Sequence, residues 1–281
     1  MISKNADRYP ISAQCKALGI TRNAYYWHKN NPDTQDKPDP LEQDVIETFK
    51  ENNSEYGTPK MKVALRKKGI ITSRRRIGKI MKKHGLTSTY NKKKFKPYSK
   101  SDPNEAEVPN IIDRKFNGYK PHTHICSDLT YIKAAGKWNY VCLLIDLYNR
   151  EIVGHSVSTT KNAQLVMAAF ATLDFGLNEI ELFHTDRGSE FDNEKIDVML
   201  KTFNIKRSLS KKGCPYDNAV VESTNHLLKA GIVYAKEDYK TTEQLRQSLN
   251  GWVWFYNNKR IHTTLNNSSP VEFRKTGSSL M

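Results

Sequence analysis

Three acidic residues stand where a purely structural carboxylate is out of place, and they are the chain's best candidates for chemistry. Asp128 lies in SDLTYI (127–132), whose other residues are apolar or small. Asp186 follows the apolar run Ile180–Phe183 and precedes Arg187-Gly188-Ser189. Glu222 falls about one turn into a helical stretch that opens at Asp217-Asn218. Drawn to one point, three carboxylates repel one another and are costly to bury without cations. Divalent metals remove that cost, and all-oxygen ligands suit Mg2+ or Mn2+ rather than Zn2+. Two such ions about 3.5–4 Å apart serve in-line displacement at a phosphodiester, one at the attacking oxygen and one at the leaving oxygen. Taken singly, each acid has a plainer role: Asp186 fits a helix cap and Glu222 a surface position.

The elements that must position them follow from hydrophobic pattern. HICSDLTYIKAA, YVCLLIDLY and REIVGHSVS read as three strands, the first two close to continuously apolar. Such strands are buried on both faces, and the short links, with Gly136-Lys137 as the first turn, imply antiparallel hairpins. A helix over Asn162–Phe175, a strand EIELFHTD, a helix over 193–203, a strand IKRSLS and a helix over 217–234 follow. Thr241 and Gln244 fit a capping box for a last helix whose WVWFYNN cluster reads as core. The order βββαβαβα is that of an α/β, ribonuclease-H-like mixed sheet with helices on its faces. In such a sheet the first and fourth strands are neighbours, so Asp128 and Asp186 lie side by side and a crossing helix brings up Glu222. Asn218 is expected to cap that helix. His184 and Arg187 are candidates for the surroundings of the acids by position, although a strand-end His is more often a structural hydrogen-bonder.

Charge is segregated. The 281 residues carry a formal charge of +15, yet residues 56–101 hold 16 Lys+Arg and no acid, while the remainder has 29 basic and 30 acidic residues. A block of this kind suggests a polyanion-binding module joined to a near-neutral domain. Within it Thr58 and Pro59 fit the start of one helix, which stops at Gly69, and Ser73 caps a second, RRRIGKIMKKHG. Arg74, Arg75, Arg76, Lys79, Lys82 and Lys83 cover the outside of that second helix, the layout of a recognition helix. The absence of acids for i,i+4 pairing weakens the alternative of an ordinary solvated face. Residues 91–101 continue as an extended basic linker, and 12–27 fit either a small DNA-reading helix-turn-helix or a helical hairpin. The expected organisation is 1–30, a basic helix-turn-helix domain at 41–88, a linker at 89–110 and the catalytic core at 111–275. Four cysteines without a CxxC pair exclude a zinc finger, and His122-x-His124-x-Cys126 reads as chance spacing. No apolar run is long enough to span a bilayer, which points to a cytoplasmic, nucleoid-associated protein with no membrane partner.

The intervals separating the acids, 57 and then 35 residues, together with SDLTYI, HTDRGSEF (184–191), YDNAVVES (216–223) and YNNKRIHTTLNNSSPVEF (256–273), resemble the DDE transposases of the insertion-sequence-3 family, in particular the OrfB product. The resemblance runs from about Ala17 to Arg274. It implies an integrase-like catalytic core, with Asp128, Asp186 and Glu222 as catalytic residues and metal ligands for two ions. Lys229, seven residues after Glu222 and on the same helix face, matches the family's basic residue; with Lys211 and Lys212 it is a candidate for DNA phosphates, the lysine pair being equally readable as surface charge. The implied partners are double-stranded DNA at element ends and target, further copies of the chain on DNA, and an OrfA-type partner or fusion, since no heptad run precedes the core. Ile125, Glu190, Phe191, Thr224 and Asn225 depart from the family's usual residues, the last two affecting how their helix packs.

Two other functions use the same residues. A DNA-binding regulator with an inactive ribonuclease-H-like scaffold would not need an intact triad. A simple metal-dependent nuclease would not need the basic helices or Lys229.

Overall fold

The computed structural model describes residues 7–30, 39–89, 108–211, 214–232 and 239–277. Lys212 and nearly all of the expected linker lie outside them. The chain forms two compact units, residues 1–45 and 46–281. In the first, α1 (Ile11–Ala17) and α2 (Arg22–Asn30) pack through Ile11, Cys15 and Tyr25. Thr21 caps α2 by accepting from the N–H of Ala24 at 3.2 Å, as its residue type predicts. A third helix, α3 (Glu42–Glu51), crosses the boundary of the units.

The second unit begins with helices and continues into the sheet. Gly57, not Thr58, is the N-cap of α4 (Thr58–Lys67). Thr58 and Pro59 already lie in its first turn, where a proline's missing N–H costs nothing. Gly69, with φ of 82°, ends the run. Ser73 caps α5 (Arg74–Lys83) by accepting from the Arg76 N–H at 3.2 Å. Ile77, Ile80 and Met81 are buried, and Arg74, Arg75, Arg76, Lys79, Lys82 and Lys83 are all exposed. Three contacts fasten this helical segment to the far end of the chain. The Tyr56 hydroxyl accepts from the Ile261 N–H at 2.8 Å, Glu55 and Arg260 form a buried ion pair, and Lys67 meets Glu272 at 3.0 Å.

The sheet has five strands in the order β3-β2-β1-β4-β5. They are β1 (His124–Ala134), β2 (Lys137–Asp146), β3 (Ile152–Ser158), β4 (Leu182–Thr185) and β5 (Lys206–Leu209). The first three are antiparallel neighbours, and β4 and β5 run parallel to β1, the arrangement of a ribonuclease-H-like sheet. The first hairpin turns on Ala135-Gly136, both at positive φ, rather than on Gly136-Lys137. Positive φ at both central residues matches the turn to the strands' right-handed twist.

On one face, α6 (Ala163–Phe170) and α7 (Glu194–Thr202) cover Ile125, Cys142 and Leu144. On the other, α8 (Ala219–Ile232) and α9 (Thr242–Asn258) cover Cys126, Ile132, Val141, Leu143 and Ile145. Cover on both faces is why YVCLLID carries no polar alternation. The aromatic cluster of α9 is core, except for the exposed Trp254. Thr241 caps α9, while the Gln244 side chain accepts from Lys240 N–H, one residue earlier than a complete capping box requires. A short helix, α10 (Pro270–Lys275), follows.

Candidate active site

β4 is paired with β1 only as far as Cys126↔His184. Two residues further along each strand direction stand Asp128 and Asp186, at the mouth where the two backbones part. A crevice beyond the carboxyl ends of parallel strands is the usual ligand site of an α/β sheet. α8 crosses behind β1 and carries Glu222 in its first turn. The strand adjacency and the helix therefore gather the three acids that the sequence singled out.

Their electrostatics show the gathering. Burial, and then the negative charge of Asp186, push the Asp128 carboxyl up to about 6. Partial burial of its carboxyl, then Asp128 and Asp186 in turn, push Glu222 up to about 7. No Lys or Arg pairs with any of the three among the described residues. Fixed neutral donors hold two of them. Asp128 accepts from its neighbour Leu129 N–H at 2.8 Å and from Asn225 Nδ2 at 3.0 Å. Asp186 accepts from Gly188 N–H at 3.0 Å.

This donor set fits divalent metal. It is all oxygen, it carries uncompensated negative charge, and each carboxylate oxygen has lone pairs beyond the hydrogen bonds described. Among the described residues no three His, Cys, Asp or Glu side chains already close around a common point. Mg2+ does not require that, because it is held through one or two carboxylates and keeps several waters. A cavity of about 1020 Å³ lies elsewhere, lined by residues such as Ser54, Gly231 and Trp254 and by none of the three acids.

Other expected residues are placed differently. His184 is fully buried, with Nδ1 2.8 Å from the Ser208 hydroxyl and Nε2 2.9 Å from the Asp217 carbonyl. Arg187 donates to the carbonyls of Ser210 and Val108. Both hold strand ends together through these bonds. Asn218 does not cap α8. It ends a 3-10 turn, Pro215–Asn218, and its Nδ2 reaches across to the Ser127 carbonyl, tying the start of α8 to the strand residue before Asp128. His122 stacks on Phe175 and His124 on Tyr119, while Cys126 is core, so the three side chains of that motif turn to different partners. Lys229 lies with Nζ 4.2 Å from the centre of the Tyr131 ring, and Lys211 is exposed.

Two residues at the site were not singled out by the sequence. Asn225 is one turn beyond Glu222 and donates to Asp128; its position at i+3 from a catalytic candidate was the available signal. Glu190 is buried, ion-paired with Lys161 at 3.0 Å, and adds its charge to those raising Asp128. No local pattern marks it, because Lys161 comes from the distant turn before α6.

Residues 118–215 match a family model described as integrase core domain, 203–270 a second model of that description, and 36–94 an HTH-like domain. The chain is 27% identical over 279 residues to the transposase InsF for insertion sequence IS3A of Escherichia coli (strain K12), covering 97% of this chain and 96% of that one. It is 29% identical over 255 residues to the transposase for insertion sequence element IS904 of Lactococcus lactis subsp. lactis (strain IL1403), covering 89% and 100%. Among solved structures, the HTLV-2 integrase catalytic core domain in complex with magnesium gives a TM-score of 0.44 at 17% identity, over 56% of this chain and 98% of that one.

Proposed function

Since the chain belongs to the insertion-sequence transposases of the insertion-sequence-3 type, with an integrase core, we propose that it cleaves DNA at the 3′ ends of a bacterial insertion sequence and joins those ends to a new phosphodiester. Asp128, Asp186 and Glu222 are the residues assigned to the chemistry. The observation that carries this reading is the convergence of three carboxylates, without a cation, where β1 and β4 part. Asp128, Asp186 and Glu222 would hold two Mg2+ or Mn2+ ions, which would supply positive charge to the attacking and leaving oxygens.

The chain's own residues set the geometry. Asn225 and the Leu129 N–H fix the Asp128 carboxylate, and the Gly188 N–H fixes Asp186. The tie from Asn218 to Ser127 holds α8, and with it Glu222, against β1. We assign grip on double-stranded DNA to 41–88 through Arg74, Arg75, Arg76, Lys79, Lys82 and Lys83, and to Lys211, Lys212 and Lys229. The core at 111–275 performs the chemistry. Working copies assemble on DNA in the cytoplasm, with an OrfA-type segment as partner or fusion.

The test is a strand-transfer assay with Mg2+ on DNA carrying the element's ends, comparing wild type with Asp186→Asn. Joined product from wild type alone, abolished by a chelator, is the expected result. Cleavage without joining would make the chain a nuclease. DNA binding without metal-dependent chemistry would make it a regulator.

A further inference from the structure

The β1–β2 hairpin carries an unexplained feature beside this site. β4 leaves β1 after Cys126, so one edge of β1 is open from Asp128 onward. Along that stretch Ile132 and Ala134 are buried, while Tyr131 and Lys133 point to the other face, next to Trp138 and Tyr140 across the hairpin. Scattered exposed apolar residues need no explanation. Here two large rings are bare together: Tyr131 is 53% and Trp138 54% exposed, and they meet edge to face at 5.2 Å.

Lys229 reaches over the Tyr131 ring from α8 at 4.2 Å. Tyr131 lies three strand residues past Asp128, about 10 Å at the usual rise. Lys229 lies seven helical residues past Glu222, also about 10 Å. By strand parity Tyr131 and Trp138 lie on the sheet face opposite Asp128, and Lys229, reaching round the open edge of β1 from α8, joins that face to the side of the acids, a few nucleotides' length away. Its surroundings are cationic: residues 129–141 include Lys133 and Lys137 and no acid. Exposed rings interleaved with lysines suit a polyanion that also offers flat faces, which is a nucleic acid strand with unpaired bases. Paired bases already stack on each other and leave no face for the rings.

Resting on the function proposed above, we infer that Tyr131 and Trp138, with Lys229, form a stacking platform for unpaired bases of the DNA strand that enters the three-carboxylate site. Stacking on such rings is tolerant of sequence, and its loss by alanine substitution weakens binding by roughly 5- to 150-fold per base.

The experiment uses the full chain without divalent metal, so that nothing is cut. Fluorescence anisotropy compares a short blunt duplex of arbitrary sequence with the same duplex bearing a single-stranded tail of about 4 nucleotides. Wild type is expected to bind the tailed duplex at least about five-fold more tightly. Trp138→Ala and Tyr131→Ala erase that preference while leaving blunt-duplex affinity and the salt slope unchanged; Trp138→Phe keeps it. Lys229→Ala instead lowers the salt slope by about 1. Equal wild-type affinity for both duplexes overturns the platform but not the DNA-binding function, and so does a preference that survives both alanine variants. Binding to neither duplex overturns both. Should an alanine variant fail to fold, quenching of tryptophan fluorescence by the tailed duplex decides: it must be present in wild type and absent from Trp138→Phe.

Discussion

Asp217 and Glu222 stand five residues apart at the start of one helical run, and they have opposite fates. Asp217 is 2% exposed and accepts from Arg114 Nε at 2.7 Å and from the Lys211 N–H at 3.1 Å. Burial alone would raise its carboxyl, but these donors hold it below the ordinary value. Its carbonyl also anchors His184, so it joins β4, β5 and the turn before α8. Glu222 keeps more solvent, yet partial burial of its carboxyl, and then the charges of Asp128 and Asp186, push it up to about 7. Burial therefore does not separate a structural acid from a catalytic one. The sign of the surrounding charge does: Asp217 meets Arg114, whereas among the described residues Asp128, Asp186 and Glu222 pair with no Lys or Arg.

The largest effect expected from this contrast is on the reaction. Asp128→Asn or Asp186→Asn removes a proposed metal ligand, and with metal ions contributing several kcal/mol the expected loss is roughly 10³-fold or more in joining rate. Without metal the same variants should melt higher than wild type, because a repelling charge is gone. Asp217→Asn should do the reverse, lowering stability by about 1–3 kcal/mol as donors lose their charged partner, while joining per folded molecule persists. Joining rates normalised to folded protein, with thermal melts, measure both. If fully folded Asp217→Asn were as inactive as Asp186→Asn, the division between the two acids would collapse.

Asn225 sharpens the contrast as an intermediate case, a neutral donor serving a charged ligand. Asn225→Ala should weaken Mg2+ or Mn2+ binding by roughly 10- to 100-fold, the usual consequence of losing a group that orients a ligand. Titration calorimetry reads this directly. An unchanged affinity would mean that the 3.0 Å contact to Asp128 does not orient it in the metal-bound state.

Asp128 was legible in the sequence because a carboxylate inside an apolar strand contradicts its surroundings, and the βββαβαβα order because each element obeys one periodicity. What escaped depends on partners brought from far along the chain. Asp217-Asn218 before a helix reads as a cap, but a 3-10 turn occupies that place and Asn218 spends its amide on Ser127. Thr58-Pro59 reads as a helix start, yet an extended Gly57 already supplies the N-cap backbone. Asn225 looked like a packing change because nothing local shows that Asp128 lies opposite it. Tyr131 sits within a strand the pattern marks and Trp138 just outside one, and nothing local shows that both rings stay exposed.

The smallest effect, and the one that compares the two kinds of acid in a single measurement, is on stability against pH. Asp128 and Glu222 have folded values of about 6 and about 7, above their ordinary 3.8 and 4.5. The folded chain thus holds protons that the unfolded chain releases. The stability they confer is fully present below the ordinary values and is lost as pH rises through about 6 and 7. Asp217 is shifted the other way, so its contribution is present above 3.8 and lost as pH falls. Metal-free melting temperature should therefore decline by a few degrees as Asp128 and Glu222 ionise, since about 1 kcal/mol moves the midpoint by roughly 2–4 °C in a domain of this size. Asp146, raised to about 6 by burial, and Asp128 titrate in the same direction, so the share of Glu222 is what Glu222→Gln removes. Added Mg2+ should restore most at the alkaline end, because its ligands must be deprotonated to bind. Calorimetric melts across this range, with and without Mg2+, would sink the assignment if the wild-type and Glu222→Gln curves ran parallel throughout.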